Sequence, residues 1–128
     1  MLIVVDPSSG VPVFRQLMDQ VRFHVASGLL QAGDELPPTR TLSAELGVNP
    51  MTISKAYNLL EREGVLTRRP GRPLVVAELD PADLELQKLE MLRESLTAGV
   101  RAARQLGLDH DEAVQIFRGL LDDDDKEK

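Results

Sequence analysis

Residues 33–76 read GDELPPTRTLSAELGVNPMTISKAYNLLEREGVLTRRPGRPLVV, and this stretch decides the fold. Pro37-Pro38 opens a helix that carries Leu42 and Leu46 on one face, and Gly47 supplies the left-handed backbone that ends it. Asn49 followed by Pro50 opens the next helix: an N-cap acceptor, then a proline whose missing N–H is of no consequence in the first turn. Ile53, Ala56, Tyr57 and Leu60 recur at helical spacing and face inward, and Gly64 stops the helix near Glu63. Only Gly47, Val48 and Asn49 separate the two helices, which fits a helix-turn-helix corner. Val65–Arg69 and Pro73–Ala77 are strand-like around Pro70-Gly71-Arg72, so a hairpin with Arg68, Arg69 and Arg72 near its tip is expected. Pro73 predicts an edge position in it. A helix-turn-helix followed by a basic hairpin suits the grooves of double-stranded DNA.

Upstream, Leu2–Val5 is a short apolar run, a small strand or a strap, ended by the loop Asp6-Pro7-Ser8-Ser9-Gly10. Pro12 suits the first turn of a helix that turns Phe14, Leu17, Met18, Val21 and Val25 inward and stops at Gly28. Downstream, Asp80-Pro81 repeats the cap-then-proline signal and predicts a long helix to about Gln105. Leu89, Leu92, Leu96, Val100 and Ala103 form an apolar stripe on it. Gly107 stops it, and Asp109 with Glu112 has the pattern of a capping box. The last helix is expected to bury Ala113, Ile116, Phe117 and Leu120 and then to fray into the acidic run Asp122–Asp125.

Composition narrows the class. The 128 residues suit one domain with an association element, and one Tyr, three Phe and no Trp imply an aliphatic core. With no cysteine there is no disulfide, zinc thiolate or cysteine nucleophile. No signal segment or spanning apolar run is evident, which predicts a soluble cytoplasmic protein without membrane contact. The net charge of −6 divides unevenly: residues 1–77 carry 8 Lys/Arg against 7 Asp/Glu, and residues 78–128 carry 7 against 14. Affinity for nucleic acid follows local charge, so any DNA contact belongs to the N-terminal part. Asp122–Asp125 lacks the glycine turn and spaced geometry of a calcium loop, and an acid-rich helix start explains His110-Asp111-Glu112 better than a metal site, so no metal or other cofactor is expected. Neither a phosphate-binding glycine loop nor a nucleophile–histidine pair is present, and the chain is not expected to be an enzyme.

Val13 to Val76 resembles the DNA-binding domain of the GntR family of bacterial transcription regulators. The resemblance rests on Phe14-Arg15-Gln16-Leu17, Gly28-Leu29, Gly33-Asp34-Glu35-Leu36-Pro37, Arg40, Leu42-Ser43, Leu46-Gly47-Val48, Thr52, Leu60, Glu63-Gly64-Val65-Leu66, Gly71 and Val75. Two further helices, with no large ligand-binding domain, are similar to the YtrA subfamily, as are Asn49-Pro50 and Ser54-Lys55-Ala56-Tyr57. The resemblance implies a mainly α fold with a small β-hairpin: a winged helix-turn-helix over 1–77 and a helical dimerisation region with an acidic tail over 78–128. It also implies a homodimeric repressor of a palindromic operator, often at ABC transporter genes. A small-molecule effector is compatible with it, and no residue is assigned to one.

In this family the arginine matching Arg40 reads guanine in the major groove, where its guanidinium fork fits the O6 and N7 acceptors. Asn49, Met51, Thr52, Ser54 and Lys55 belong to the first turns of the helix expected in that groove. Asn49 has a second reading as a cap alone, and Lys55 as a solvated lysine. Tyr57 reads as core, with its hydroxyl a candidate for a phosphate. Gly71 would bring the wing tip close to the minor groove for Arg72, with Arg68 and Arg69 on the backbone. Pro38 replaces a frequent Ser, which passes a phosphate contact to Thr39, and Arg72-Pro73-Leu74-Val75 replaces the usual Gly-Thr-Phe-Val. Leu89, Leu92, Leu96, Val100 and Ala103 are the expected dimer stripe. The competing reading is a winged helix used for protein assembly with no specific DNA target.

Overall fold

The path from sequence to fold begins with three helices sharing one apolar core. The computed structural model describes residues 3–127, with side chains described through residue 123. Leu2 of the expected strap and the side chains of Asp124 and Asp125 thus lie outside the described residues. Helix α1 (Val13–Ala26) starts after Pro12, whose φ of −55° already suits a helix, and buries Leu17, Met18, Val21 and Val25. Helix α2 (Thr39–Leu46) buries Leu42, and α3 (Pro50–Arg62) buries Ile53, Ala56, Tyr57 and Leu60, as their spacing predicts. Both α1 and α2 pack on α3, whose Ile53 and Leu60 are among the most fully buried side chains of the chain.

The corner between α2 and α3 is held twice. Gly47 takes φ 65°, a backbone few other residues adopt, and the Val48 N–H then donates to the Ser43 carbonyl at 3.1 Å. The buried Ser43 hydroxyl donates in turn to the Val48 carbonyl. Across the other side of α3, the Arg22 guanidinium of α1 forks onto Glu63 and also reaches Asp19 at 2.9 Å.

The hairpin is shorter than the sequence suggests: β1 (Leu66–Thr67) pairs antiparallel with β2 (Val75–Val76), Leu66 opposite Val76. A further segment joins it. Gly33 N–H donates to Val76 O at 2.8 Å, Val76 N–H to Asp34 O at 2.9 Å and Leu36 N–H to Leu74 O at 2.8 Å, with a bridge between Glu35 and Val75. Residues 33–36 therefore flank β2 opposite β1, and Pro73, expected at an edge, leads into the middle strand.

The N-terminal strap lies along α1 without pairing as a strand. Gln20 grips both the N–H and the carbonyl of Val4, and Gln16 accepts from Asp6 N–H at 2.8 Å while donating to Asp6 O at 2.9 Å. Two glutamine amides thus imitate a neighbouring strand and seat Ile3 in the core.

The chain divides into two compact units, Met1–Lys88 and Leu89–Lys128. Leu79 and Leu84 pack against the core, so the first turn of α4 (Pro81–Gln105) belongs with the N-terminal unit. In the second unit Gly107, at φ 72°, ends α4, and Leu108 N–H donates to Ala103 O. The capping box forms reciprocally at the start of α5 (His110–Glu127): Glu112 N–H donates to Asp109 at 2.8 Å, and Asp109 N–H to Glu112 at 3.3 Å. Two expectations fail here. Ala113 is half-buried while Ile116, Phe117 and Leu120 are exposed, because α4 and α5 hardly pack on one another among the described residues. The helix also continues through the acidic run to Glu127 instead of fraying. No helix among the described residues is long and apolar enough to cross a membrane.

Burial pushes the Tyr57 phenol pKa well above its ordinary value, and the Glu45 carboxylate adds to the shift. The folded state therefore keeps its proton where the unfolded chain releases it. This contribution to stability is intact below about pH 10, the ordinary phenol value, and is lost as pH rises above it. Tyr57 is the sole tyrosine and there is no tryptophan, so tyrosinate absorbance reports it alone. We expect that signal to appear only together with loss of helical circular dichroism. A free titration at the ordinary phenol pKa with the fold intact would contradict the burial.

Candidate nucleic-acid interface

The inward face of α3 is consumed by the core, which leaves its opposite side and first turns for a ligand. Met51 is 78% exposed, Lys55 is exposed, and Thr52 and Ser54 are half-buried beside them. The Asn49 side-chain oxygen accepts from the Met51 N–H at 2.8 Å, the N-cap geometry. Its amide NH₂ is the part left to face a base.

Lys55 is neither extended nor merely solvated. Its ammonium sits 3.9 Å from the centroid of the Phe14 ring at the start of α1. Such a cation–π contact contributes about 0.5–1 kcal/mol at an exposed site, little enough for a phosphate to share or displace the ring. The spacing of Phe14 and Lys55 in the sequence gives no hint of this pairing.

At the start of α2, Pro38 occupies the N-cap and makes no side-chain cap bond, so the first N–H groups of the helix have no side-chain acceptor. That end is suited to an anion, with Thr39 half-buried beside it and Arg40 exposed one residue on. Among the described residues, none of the ion pairs engages Arg40.

The wing tip is the turn Arg69–Arg72, closed by the Arg72 N–H donating to the Arg69 carbonyl at 3.1 Å. Pro70 followed by Gly71 at φ 71° is the pattern of a type II turn. A Cβ at Gly71 would meet nothing within 4 Å, so the glycine is required by its backbone angle rather than by space. Arg69 and Arg72 are exposed. Arg68 lies 3.8 Å from Glu61, a surface pair worth about 0–1 kcal/mol, too weak to withhold it from a phosphate.

A shallow groove of about 260 Å³ joins these parts: Thr39 and Pro38 from the start of α2, Tyr57 from α3, and Arg68, Pro73 and Leu74 from the wing. Beside it, Arg69 and Arg72 border a hollow of about 230 Å³ with Glu35 and Glu78. The Tyr57 hydroxyl, a candidate for phosphate, instead donates to the Pro37 carbonyl at 2.8 Å inside the protein. A lone tyrosine on an otherwise apolar helix face signals a hydroxyl in need of a partner. Which partner depends on the path of the chain twenty residues upstream.

Residues 14–76 match the family described as bacterial regulatory proteins, gntR family. The HTH-type transcriptional repressor YtrA of Bacillus subtilis (strain 168) is 33% identical over 108 residues, spanning 84% of this chain and 83% of that protein. Among solved structures, YtrA from Sulfolobus acidocaldarius, a GntR-family transcription factor, superposes with a TM-score of 0.58 at 31% identity. The match covers 94% of this chain and 97% of that one. The AraR DNA-binding domain in complex with operator ORX1 superposes with a TM-score of 0.52 at 25% identity, over 59% of this chain and 93% of that domain.

The cap geometry makes a prediction about folding that is independent of DNA. Asn49→Ala removes the acceptor of the Met51 N–H and should lower stability by about 1 kcal/mol in urea denaturation. An unchanged midpoint would mean that Pro50 alone suffices to start α3.

Proposed function

The chain belongs to the gntR family of bacterial regulatory proteins, and from that premise we propose that it is a homodimeric repressor of the YtrA type that binds a palindromic operator. The observation that carries the reading is the groove joining the start of α2 to the wing, with exposed Arg40 one residue beyond its lining and exposed Met51 and Lys55 on the first turns of α3. Arg40 reads guanine through its fork of donors, and α3 enters the major groove with Asn49, Met51, Thr52 and Ser54 leading. Thr39, Lys55, Arg68 and Arg69 hold phosphates, which set register without reading sequence. Gly71 carries Arg72 to the minor groove.

Residues 1–77 do the reading, and residues 78–128 join two copies through Leu89, Leu92, Leu96, Val100 and Ala103. The support for association is apolar surface without cover: Leu89, Leu92, Leu96 and Val100 are all exposed, and α4 has no buried residue. Covering such a stripe stabilises by about 25 cal/mol per Å² of apolar area. A two-fold dimer then presents two heads to a palindrome, and the second binds intramolecularly. Acting on the chromosome places the protein in the cytoplasm. ABC transporter genes are the targets that the resemblance favours, and regulation with or without a small-molecule effector is compatible with it.

Selection of genomic fragments by the purified protein at near-physiological salt, followed by sequencing, tests the reading. A recovered palindrome is expected, and Arg40→Ala should abolish its selection while the circular dichroism spectrum is retained. Sequence-indifferent binding, or none, would favour an assembly module. Replacing Leu96 and Val100 together by Glu should halve the mass seen by light scattering. An unchanged dimer mass would refute the stripe as the interface.

A further inference from the structure

The buried Tyr57 hydroxyl stands where three parts of the reading surface meet. Residues 33–36 are fastened to Leu74 and Val76 of the wing by three backbone hydrogen bonds, and α2 begins at Thr39. Between them lie Pro37 and Pro38, which have no N–H to donate, so only their carbonyls can anchor this link. The Pro38 carbonyl is taken by the Leu42 N–H at 3.0 Å in the first turn of α2. The Pro37 carbonyl is taken by Tyr57 of α3, at 2.8 Å.

We infer that Tyr57 is a positioning residue for DNA reading: its hydroxyl, through the Pro37 carbonyl, sets the start of α2, and so Arg40, against α3 and the wing. The inference rests on the reading of Arg40 as the base-contacting arginine. The link is stiff, since proline fixes φ and Pro38 sits at φ −56° and ψ 149°, an extended polyproline conformation. A stiff link pinned near its middle transmits a small displacement at Pro37 directly to Thr39 and Arg40, three residues away. A bidentate contact to guanine tolerates little displacement, because both donors must align at once.

The bond does little for the stability of the fold. The Tyr57 ring is 3% exposed and its packing does not need the oxygen. Pro37 lines the open groove and its bond to Tyr57 is only part-buried, so water has a route to the carbonyl when the hydroxyl is removed. Loss of the hydroxyl therefore frees the link while leaving the core filled. A residue that only packs would behave in the opposite way.

The test is Tyr57→Phe, measured against the wild type at a temperature where circular dichroism shows both folded. Amide hydrogen exchange should accelerate at Leu42, whose N–H marks the first turn of α2, while Ile53 and Leu60 in α3 keep their protection. On the selected operator, fluorescence anisotropy should show about tenfold weaker binding, with affinity for unrelated duplex unchanged. The loss should vanish on an operator in which the guanine opposite Arg40 is replaced. Equal exchange at Leu42, or equal loss on all three DNAs, would overturn the positioning role. If the wild type selects no operator, the regulator reading fails with its consequence for Arg40, and hydrogen exchange still decides whether Tyr57 pins α2.

Discussion

The reading surface depends on one burial event, the packing of α3 into the core through Ile53, Ala56, Tyr57 and Leu60. Leu17 and Val21 of α1, Leu42 of α2 and Leu66 of the wing are buried in the same core. A helix that surrenders a whole face to its own protein has its rotation set, since turning it would expose those side chains at roughly 1.5–3 kcal/mol each. Met51, Ser54 and Lys55 then have no alternative but to face outward or flank the groove. The helix-turn-helix thus derives its precision from apolar contacts on the side away from its ligand. Ser43 and Gly47 add the second constraint by holding the corner, and the Arg22 fork onto Glu63 ties the far end of α3 to α1.

Polar interactions on the outward side are of a different kind. Lys55 rests on Phe14, Arg68 lies at the edge of reach of Glu61, and Arg40 is unpaired among the described residues. Each of these is weak enough, at about 1 kcal/mol or less, for a polyanion to override. They hold the cations near their working positions without satisfying them. The acidic whole is compatible with a nucleic-acid partner, because the entire negative imbalance lies in residues 78–128, while residues 1–77 carry 8 Lys/Arg against 7 Asp/Glu.

What the sequence made legible is local. Asn49-Pro50, Gly47 and the pair Asp109 and Glu112 announce their helix ends because caps involve neighbours within four residues, and each cap forms as read. Periodicity in α1 and α3 likewise identifies the core, since 3.6-residue spacing is a property of one segment. The failures are those of distance. Asp34-Glu35-Leu36 has no strand pattern, yet it lies against β2 because the chain must pass there on its way to α2. Pro37 against Tyr57, Phe14 against Lys55, Asp6 against Gln16 and Val4 against Gln20 are pairs ten or more residues apart, where sequence spacing carries no information. Of the interface, the arginines and Gly71 were legible from the motif, whereas the groove that joins them was not.

The exposure of Ile116, Phe117 and Leu120 teaches something else. Periodicity tells which face of α5 seeks apolar cover but not whether the cover is in the same chain, and among the described residues these side chains are left exposed. The same holds for α4, where capping and propensity support the helix but no side chain is buried. Isolated helices of such lengths are marginal in water, because most helical stability in proteins comes from packing one face. In the proposed dimer, helical order in residues 89–127 and association would be linked equilibria, each supplying what the other lacks. In a regulator built this way, the concentration of folded dimer, and with it the spacing of two reading heads, would respond to anything that binds or blocks the apolar faces. Control of DNA binding then requires no separate ligand domain, only a change in the cover available to α4 and α5.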